Sequence, residues 1–470
     1  MNVSETLKLS ETGKGKRVWM NNNALTRSGL VPGMRYDVIY FDNYVDIIVN
    51  PHGKRVVVDN GKSLIDLETQ QLGNTFPDVS EVSVAYLTNG VRIRASHNEE
   101  KIRSREKVIA NPKKTWRIGE LFAGFGHLGA QISKGLQAAG VMAALAFANE
   151  YDRVTADIHA TNQHAWEHCT ADALLVNEDL LTMNMEQVPD LDMLIMGYPC
   201  VGFSAMQSNP DKRDTRHPQA GALFVRVLEV INRSNPSVIV LENSPFMQDS
   251  ETMHIIDAVL HATGYSSEST TLKGTDHGDF EPRKRLAKVW YSSGFTPINL
   301  HLMQPTLSAT RTVSDVVEYM PEDSPKWRDY AYLRKHASKK TQGHGFFVAE
   351  AGDTTLKTFG ANYAKAQPDS SFLPHPTEPN LYRMFEPSEH ANIRRVDGAT
   401  KEAIVSVANG KHCLVNARGS SKVAHQILGN SVAPRPWLAL GKHLGDWVSS
   451  QHNQESTSTF DDDDFLKLIA

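Results

Sequence analysis

The chain has 470 residues, with 49 Lys and Arg against 54 Asp and Glu and a formal charge of -5; it is long enough for two or three domains, and no global basic field advertises a nucleic-acid partner, so any such partner is held by local patches. Only three cysteines occur, Cys169, Cys200 and Cys413, far apart and without a C-x-x-C pair, which argues against a disulfide framework or a zinc cluster. The N-terminus lacks a secretory pattern and no apolar run reaches membrane-spanning length, so the expectation is a soluble cytoplasmic protein with free thiols, no metal and no membrane partner.

Between about Arg17 and Ala95 short β-rich runs (Arg35 to Tyr40, Asp46 to Val49, Arg55 to Val58) alternate with Gly, Asn and Pro turn signals, which predicts an N-terminal mostly-β accessory domain over residues 1–100. Lys101, Arg103, Arg105, Lys107, Lys113 and Lys114 mark a charged helix or linker, bounded at 101–115. From Trp116 the pattern changes to apolar runs alternating with helical stretches: Arg117 to Phe122, Val141 to Ala148, Leu191 to Met196, Ser237 to Leu241 and Leu286 to Tyr291. That alternation predicts an α/β domain over 116–296 with a parallel sheet, helices on both faces and sites at the C-terminal strand ends. Over 297–376 it gives way to a mixed segment rich in Lys, Arg, His and aromatics, including Lys326-Trp327-Arg328, which predicts a separate subdomain. Residues 377–450 return to the main domain, with a helix over Leu381 to Arg395 and a strand-turn-helix over Ala424 to Trp447. The tail, 451–470, carries Asp461 to Asp464 and is expected to be disordered. No internal repeat is found.

Glu120-Leu121-Phe122-Ala123-Gly124-Phe125-Gly126-His127 stands where a strand turns into a helix. Its glycines permit a tight turn and a close approach to a nucleotide, although a purely structural turn has the same glycines. No Gly-Lys-Ser or Gly-Lys-Thr follows, which weakens a phosphate loop. One unit later, Glu150-Tyr151 ends a strand: the acid can accept from ribose hydroxyls and the ring can stack on an adenine, and Asp179 can accept from an adenine amino group. Singly, each acid is as well explained as a solvated loop residue.

Cys200, stiffened by Pro199, follows the strand ending at Met196. A thiol there is either a small apolar filler or a nucleophile whose pKa a nearby cation or helix end lowers. Glu242-Asn243 ends the next strand, and Arg283-Lys284-Arg285 opens a further one, so a thiol, a carboxyl group and two guanidinium groups fall on successive elements.

These segments resemble, in order and spacing from about Trp116 to Trp447, the motifs of the cytosine-C5 DNA methyltransferase family: Phe122-Ala123-Gly124-Phe125-Gly126, Pro199-Cys200, Glu242-Asn243, Arg283-Lys284-Arg285 and Gly429-Asn430-Ser431-Val432. The resemblance implies a Rossmann-like S-adenosylmethionine-dependent catalytic domain, with the 297–376 segment as target-recognition subdomain and double-stranded DNA as substrate. It also implies site roles. Cys200 attacks carbon 6 of a flipped-out cytosine, Glu242 stabilises or protonates N3, Arg285 holds O2, Asn243 orients base and loop, and Arg283 braces Glu242. S-adenosylmethionine lies against Phe122, Gly124, Phe125, Gly126, Glu150, Tyr151, Asp179, Pro199 and the turn of Asn430, Ser431 and Val432. Ser204, Lys212, Arg213 and Arg216 belong to a loop that closes over DNA, or to a solvated loop. Val201, Ser244 and Glu281 depart from the usual Gln, Val and Gln of the family, and the first hundred residues lie outside the resemblance. A transfer-RNA cytosine methyltransferase and a decayed DNA-binding protein are the competing readings.

Overall fold

The computed structural model describes residues 3–203, 213–305, 310–337 and 345–458. Two compact units emerge, Met1–Ser104 and Arg105–Ala470.

The first unit contains strands β1 (Val3–Lys8), β2 (Ser10–Thr12), β3 (Gly15–Asn21), β4 (Arg35–Tyr40), β5 (Tyr44–Val49), β6 (Arg55–Val56), β7 (Val58–Asp59), β8 (Ser63–Thr69), β9 (Glu81–Leu87) and β10 (Gly90–Ala95), with short helices α1 (Asn23–Arg27) and α2 (Gln70–Thr75). They form two antiparallel sheets, β1-β9-β10-β5-β4-β6 and β2-β3-β8-β7. Alternate residues such as Val18, Met20, Val45, Ile47, Val82, Val84 and Ile93 share one core, as period-2 side-chain alternation requires. The expected Arg55 to Val58 run divides into β6 and β7 because Val57 turns into that core. Helix α3 (His97–Ile109) occupies most of the stretch read as helix or linker, and the unit boundary falls inside it.

The second unit opens with β11 (Trp116–Leu121), α4 (His127–Ala138), β12 (Ala143–Asn149), α5 (Arg153–Ala160), α6 (Gln163–Trp166), β13 (Cys169–Val176) and β14 (Met193–Gly197). It continues with α7 (Leu223–Ser234), β15 (Val238–Asn243), α8 (Glu251–Ala262), β16 (Tyr265–Lys273) and β17 (Lys284–Ser292). These strands form one sheet in the order β13-β12-β11-β14-β15-β17-β16. The expected parallel sheet needs correction: β17 runs antiparallel to both β15 and β16. A short connection, with no crossover helix, joins β16 to β17, and such a link supports only antiparallel pairing. Edge strand β16, with its Ser, Glu and Thr alternation, presents no apolar run in the sequence, whereas edge strand β13 ends on the short run Ala173-Leu174-Leu175-Val176.

Successive residues of β14 and β15 enter opposite cores. Leu194, Met196, Ile239 and Leu241 pack with α7 and α8, whereas Met193, Ile195, Val238 and Val240 pack with α4 and the last helix, α13 below. Burial on both faces explains why these strands read as continuous apolar runs.

Beyond β17 come α9 (Ala331–Ala337), β18 (Phe347–Val348), β19 (Ser371–Pro374) and β20 (Tyr382–Met384), the strands forming a small sheet. Its neighbourhood has its own core, with Val313, Leu356, Phe359, Tyr363, Leu373 and Phe385. Helices α10 (Pro387–Ile393), α11 (Gly398–Ala408), α12 (Ser421–Asn430) and α13 (Pro434–Ser458) follow. Two expectations are corrected here. The Leu381 to Arg395 segment begins as strand β20, which pairs with β19, before turning helical. The Ala424 to Trp447 segment is helix-turn-helix, because Ala424, Ile427 and Leu428 recur at helical spacing and face one core. Helix α13 ends at Ser458, inside the segment expected as tail; residues 459–470 lie outside the described residues.

Candidate active site

The cofactor-type loop lies between β11 and α4. Phe122 adopts φ 54° and Gly124 φ 57°, both left-handed, and Gly126 at φ 78° caps α4. A Cβ on Gly124 would project into open space with nothing within 4 Å, whereas one on Gly126 would lie 2.9 Å from His159 Nε2. Gly124 therefore leaves an open cradle and Gly126 permits close packing. Phe125 is buried among α5, α10, α11 and α12, so its side chain anchors the loop. Phe122 is half-buried and meets Tyr198 edge-on at 5.4 Å.

Glu150, just past β12, accepts from the Gly124 amide through Oε2 and from the Asp152 amide through Oε1, each at 2.8 Å. Burial pushes its carboxyl up, against the pull of those two amides. Two of about four acceptor positions on the carboxylate are thereby used, leaving room for two hydroxyl donors. Asn177 ties the neighbouring strand end to the same place by donating to the Glu150 and Tyr151 carbonyls at 2.8 and 3.0 Å. Tyr151 is 72% exposed. Asp179 is half-buried and accepts from the Leu181 amide at 3.0 Å.

Cys200 opens a single 3-10 turn, Cys200–Gly202, immediately after Pro199. Asn243 fixes this loop from the end of β15, its Nδ2 donating to the Tyr198 carbonyl at 2.9 Å. Parallel pairing of Gly197 with Glu242 and antiparallel pairing of Glu242 with Ala287 bring the strand ends together. Arg285, two residues before Ala287 and so on the same face, places Nε 2.7 Å from Glu242 Oε1. Burial pushes the Glu242 carboxyl up, while Arg285 and then Arg394 pull it down. The expectation of a thiol pKa lowered by a cation is corrected: burial and the Glu242 carboxylate push the Cys200 thiol up, and Arg285 only partly opposes them. Cys200 is nonetheless exposed to solvent, as are the neighbouring Val201 and, beyond β15, Phe246.

Arg283 does not brace Glu242. Its Nη1 donates to the carbonyls of Gly429 and Ser431 at 2.8 and 3.1 Å, because it precedes β17 and reaches the turn between α12 and α13. That turn exposes Asn430, half-buries Ser431 and buries Val432. Arg283 thus links the reactive strand to the returning turn, while bracing of Glu242 falls to Arg285.

Of the expected DNA-closing loop, Ser204 and Lys212 lie outside the described residues. Arg213 and Arg216 are exposed and flank Asp214, whose carboxylate accepts from the Glu251 and Thr252 amides at the start of α8. Asp157, His412 and Cys413 bring three possible ligand atoms within 4.8 Å of one another. His412 Nδ1 accepts from the Leu414 amide, which assigns the proton to Nε2, 3.2 Å from Asp157. The sequence reading missed Arg394, which is buried and pairs with Glu281 at 2.7 Å. Nothing in the doublet Arg394-Arg395 distinguishes it from a surface pair. No helix among the described residues is long and apolar enough to cross a membrane.

The chain is similar to the type II methyltransferase M.NlaX of Neisseria lactamica, 28% identical over 260 residues, which is 53% of this chain and 76% of that protein. It is also similar to M.Bsp6I of a Bacillus strain, 28% identical over 207 residues, 43% of this chain and 60% of that relative. Among solved structures, a methyltransferase of Entamoeba histolytica, EhMeth, aligns with TM-score 0.52 and 17% identity, covering 72% of this chain and 99% of that one. Dnmt2 of S. pombe aligns with TM-score 0.51 and 16% identity at the same coverage, and these two likenesses speak for the fold alone. The family described as C-5 cytosine-specific DNA methylase matches residues 116–444, and the chain belongs to that family of DNA methyltransferases.

Proposed function

We propose that this chain transfers a methyl group from S-adenosylmethionine to carbon 5 of a flipped-out cytosine in double-stranded DNA, with Cys200 as covalent nucleophile. The observation that carries the reading is the convergence of Cys200, Glu242 and Arg285 at adjoining strand ends, with Arg285 bonded to Glu242 at 2.7 Å and both groups acting on the thiol. The open cradle at Gly124, the remaining acceptor positions of Glu150 and the nearby Phe122 ring fit a nucleoside-bearing sulfonium compound. Phe122, Gly124, Phe125, Gly126, Glu150, Tyr151, Asp179, Pro199, Asn430, Ser431 and Val432 are the residues assigned to it. When bound, it supplies an electrophilic methyl group.

Cytosine carbon 5 is a weak nucleophile until electron density is pushed into the ring. Cys200 Sγ gives its proton to solvent water and, as thiolate, bonds to carbon 6; the carbon 5–carbon 6 π bond breaks and its pair is pushed through carbon 5 toward N3. Glu242, whose carboxyl is held up by burial, is suited to giving a proton to N3, and Arg285 stabilises charge at O2. Asn243 keeps the Cys200 loop in place throughout. After carbon 5 gains its methyl, N3 returns its proton to Glu242, a base removes the carbon 5 proton, the carbon 5–carbon 6 double bond re-forms and the Cys200 bond breaks, releasing the thiolate, which takes a proton back from water. Extrusion of the base costs a few kcal/mol, offset by contacts in the pocket. Arg213 and Arg216, with Ser204 and Lys212 of the same segment, are assigned to the DNA backbone. The fold of the first unit suits an accessory module. Its relatives being type II methyltransferases, the chain is assigned to sequence-specific modification of the restriction-modification kind.

The test is transfer of labelled methyl to mixed-sequence duplex DNA, beside RNA and a Cys200→Ser control, with 5-methylcytosine mapped at base resolution. Label on DNA cytosines that disappears in the control supports the reading. Label on RNA alone moves the assignment to an RNA substrate, and saturable cofactor binding without any transfer leaves a binding role.

A further inference from the structure

We propose that the buried Glu281–Arg394 ion pair is a positioning element for the reaction, holding the segment that carries Arg283 and Arg285 in register with Glu242; this rests on the roles given above to Cys200, Glu242 and Arg285. Residues 281, 283 and 285 are spaced two apart, and each is anchored to a different part of the unit. Glu281 Oε2 lies 2.7 Å from Arg394 Nη1, just past α10, with the two side chains 2% and 0% exposed. Arg394 Nη2 also donates to Glu281 Oε1 at 3.2 Å and to the Phe359 carbonyl at 3.0 Å, while the Phe359 amide donates to Glu281 Oε1 at 2.7 Å. Arg283 grips the Gly429 and Ser431 carbonyls, and Arg285 reaches Glu242. One five-residue stretch therefore registers the segment around Phe359, the returning turn and the base pocket to one another.

Stability alone does not account for the pair. Burying two charges carries a desolvation penalty that an apolar pair of similar volume avoids, so such replacements are often neutral or stabilising. Arg394 Nε and Nη1, moreover, make no hydrogen bond among the described residues, Nη1 meeting Glu281 Oε2 as a charge contact only, a further cost of burying the guanidinium; the directional bonds of the pair are those of Nη2. Directional hydrogen bonds fix position as apolar contacts do not, and a small displacement of Arg285 would change both its bond to Glu242 and its influence on Cys200.

The experiment compares two double variants with the wild-type chain. Glu281→Met with Arg394→Leu removes the tether while keeping apolar bulk, and Glu281→Gln with Arg394→Gln keeps hydrogen-bonding groups without leaving a charge unpaired. Thermal unfolding confirms that each is folded. Methyl transfer to duplex DNA gives kcat and KM, and the pH dependence of Cys200 alkylation by iodoacetamide, in a Cys169→Ser/Cys413→Ser background, reports the surroundings of the thiol independently of turnover. The apolar pair is expected to lower kcat at least about tenfold with KM for DNA changed less than about threefold. It is also expected to move the alkylation midpoint upward, because Arg285 recedes from a thiol whose charged neighbours among the described residues are Glu242 and Arg285. The Gln pair is expected to restore both readouts. A folded apolar pair with wild-type kcat and midpoint, a loss confined to KM, or a Gln pair as impaired as the apolar one overturns the proposal. If the wild-type chain labels no DNA, the functional reading fails, while the alkylation midpoint still decides the positioning claim.

Discussion

Arg285 and Glu242 form a close ion pair, Nε to Oε1 at 2.7 Å, and act in opposite directions on Cys200: the carboxylate raises the thiol and the guanidinium lowers it. Burial outweighs Arg285 at Glu242, so that carboxyl is held above its ordinary 4.5. A carboxyl raised on folding contributes stability that is full below pH 4.5 and is lost as pH rises through its folded value. Glu242→Gln is therefore expected to gain stability relative to the wild-type chain as pH rises from 4.5, seen in denaturant midpoints at both ends of that range. The same variant is expected to lose at least about a hundredfold in kcat, the scale of removing one group that stabilises developing charge. Equal pH dependence of stability in the two proteins would show that burial does not govern Glu242.

Cys200 rests mostly as a thiol, because burial and Glu242 hold it above its ordinary 9. The thiolate fraction then grows with pH throughout the neutral range. We expect kcat/KM for DNA to rise between about pH 7 and 9, and Cys200→Ser to abolish transfer while leaving cofactor titration intact. A flat profile in the wild-type chain would contradict a resting thiol.

Gly124 combines a left-handed φ of 57° with open space beyond its Cα. Gly124→Ala is expected to cost about 1–2 kcal/mol of stability through strain alone, and to weaken S-adenosylmethionine binding at least about tenfold by placing a methyl group in the cradle. Denaturation and a binding titration separate the two effects. Unchanged affinity in a folded variant would remove Gly124 from the cofactor surface.

Arg383 and Glu389 form a buried, two-pronged pair at 2.7 Å, and Glu389 also accepts from the Glu318 and Glu386 amides. Glu389→Ala leaves the guanidinium and both amides without that acceptor. A loss of about 3–5 kcal/mol is expected in equilibrium unfolding. A loss under about 1 kcal/mol would mean that the site relaxes to admit water.

Strands β12, β14 and β15 were legible because burial on both faces made them near-continuous apolar runs, and the motifs that follow them therefore fell at strand ends. Strand β16 was not, since an edge strand rich in Ser, Thr and Glu carries the composition of a loop. The same limit applied to the site. Cys200, Glu242 and Arg285 were nameable from residue type and order, whereas the role of Arg283 was misassigned, because adjacency in Arg283-Lys284-Arg285 does not say which guanidinium reaches Glu242 and which reaches a turn about 150 residues later.

The sequence by itself determined the chemistry available: one thiol, one carboxyl and two guanidinium groups at the ends of successive apolar runs, after a glycine loop. Those features are local, set by residue type, hydrophobic period and turn residues. Only the tertiary structure decided the reversed β17, the direction of the Cys200 shift and the partnership of Glu281 with Arg394 across 113 positions of chain. Each of these depends on desolvation and on distances between segments remote in sequence, quantities that exist only once the chain has packed.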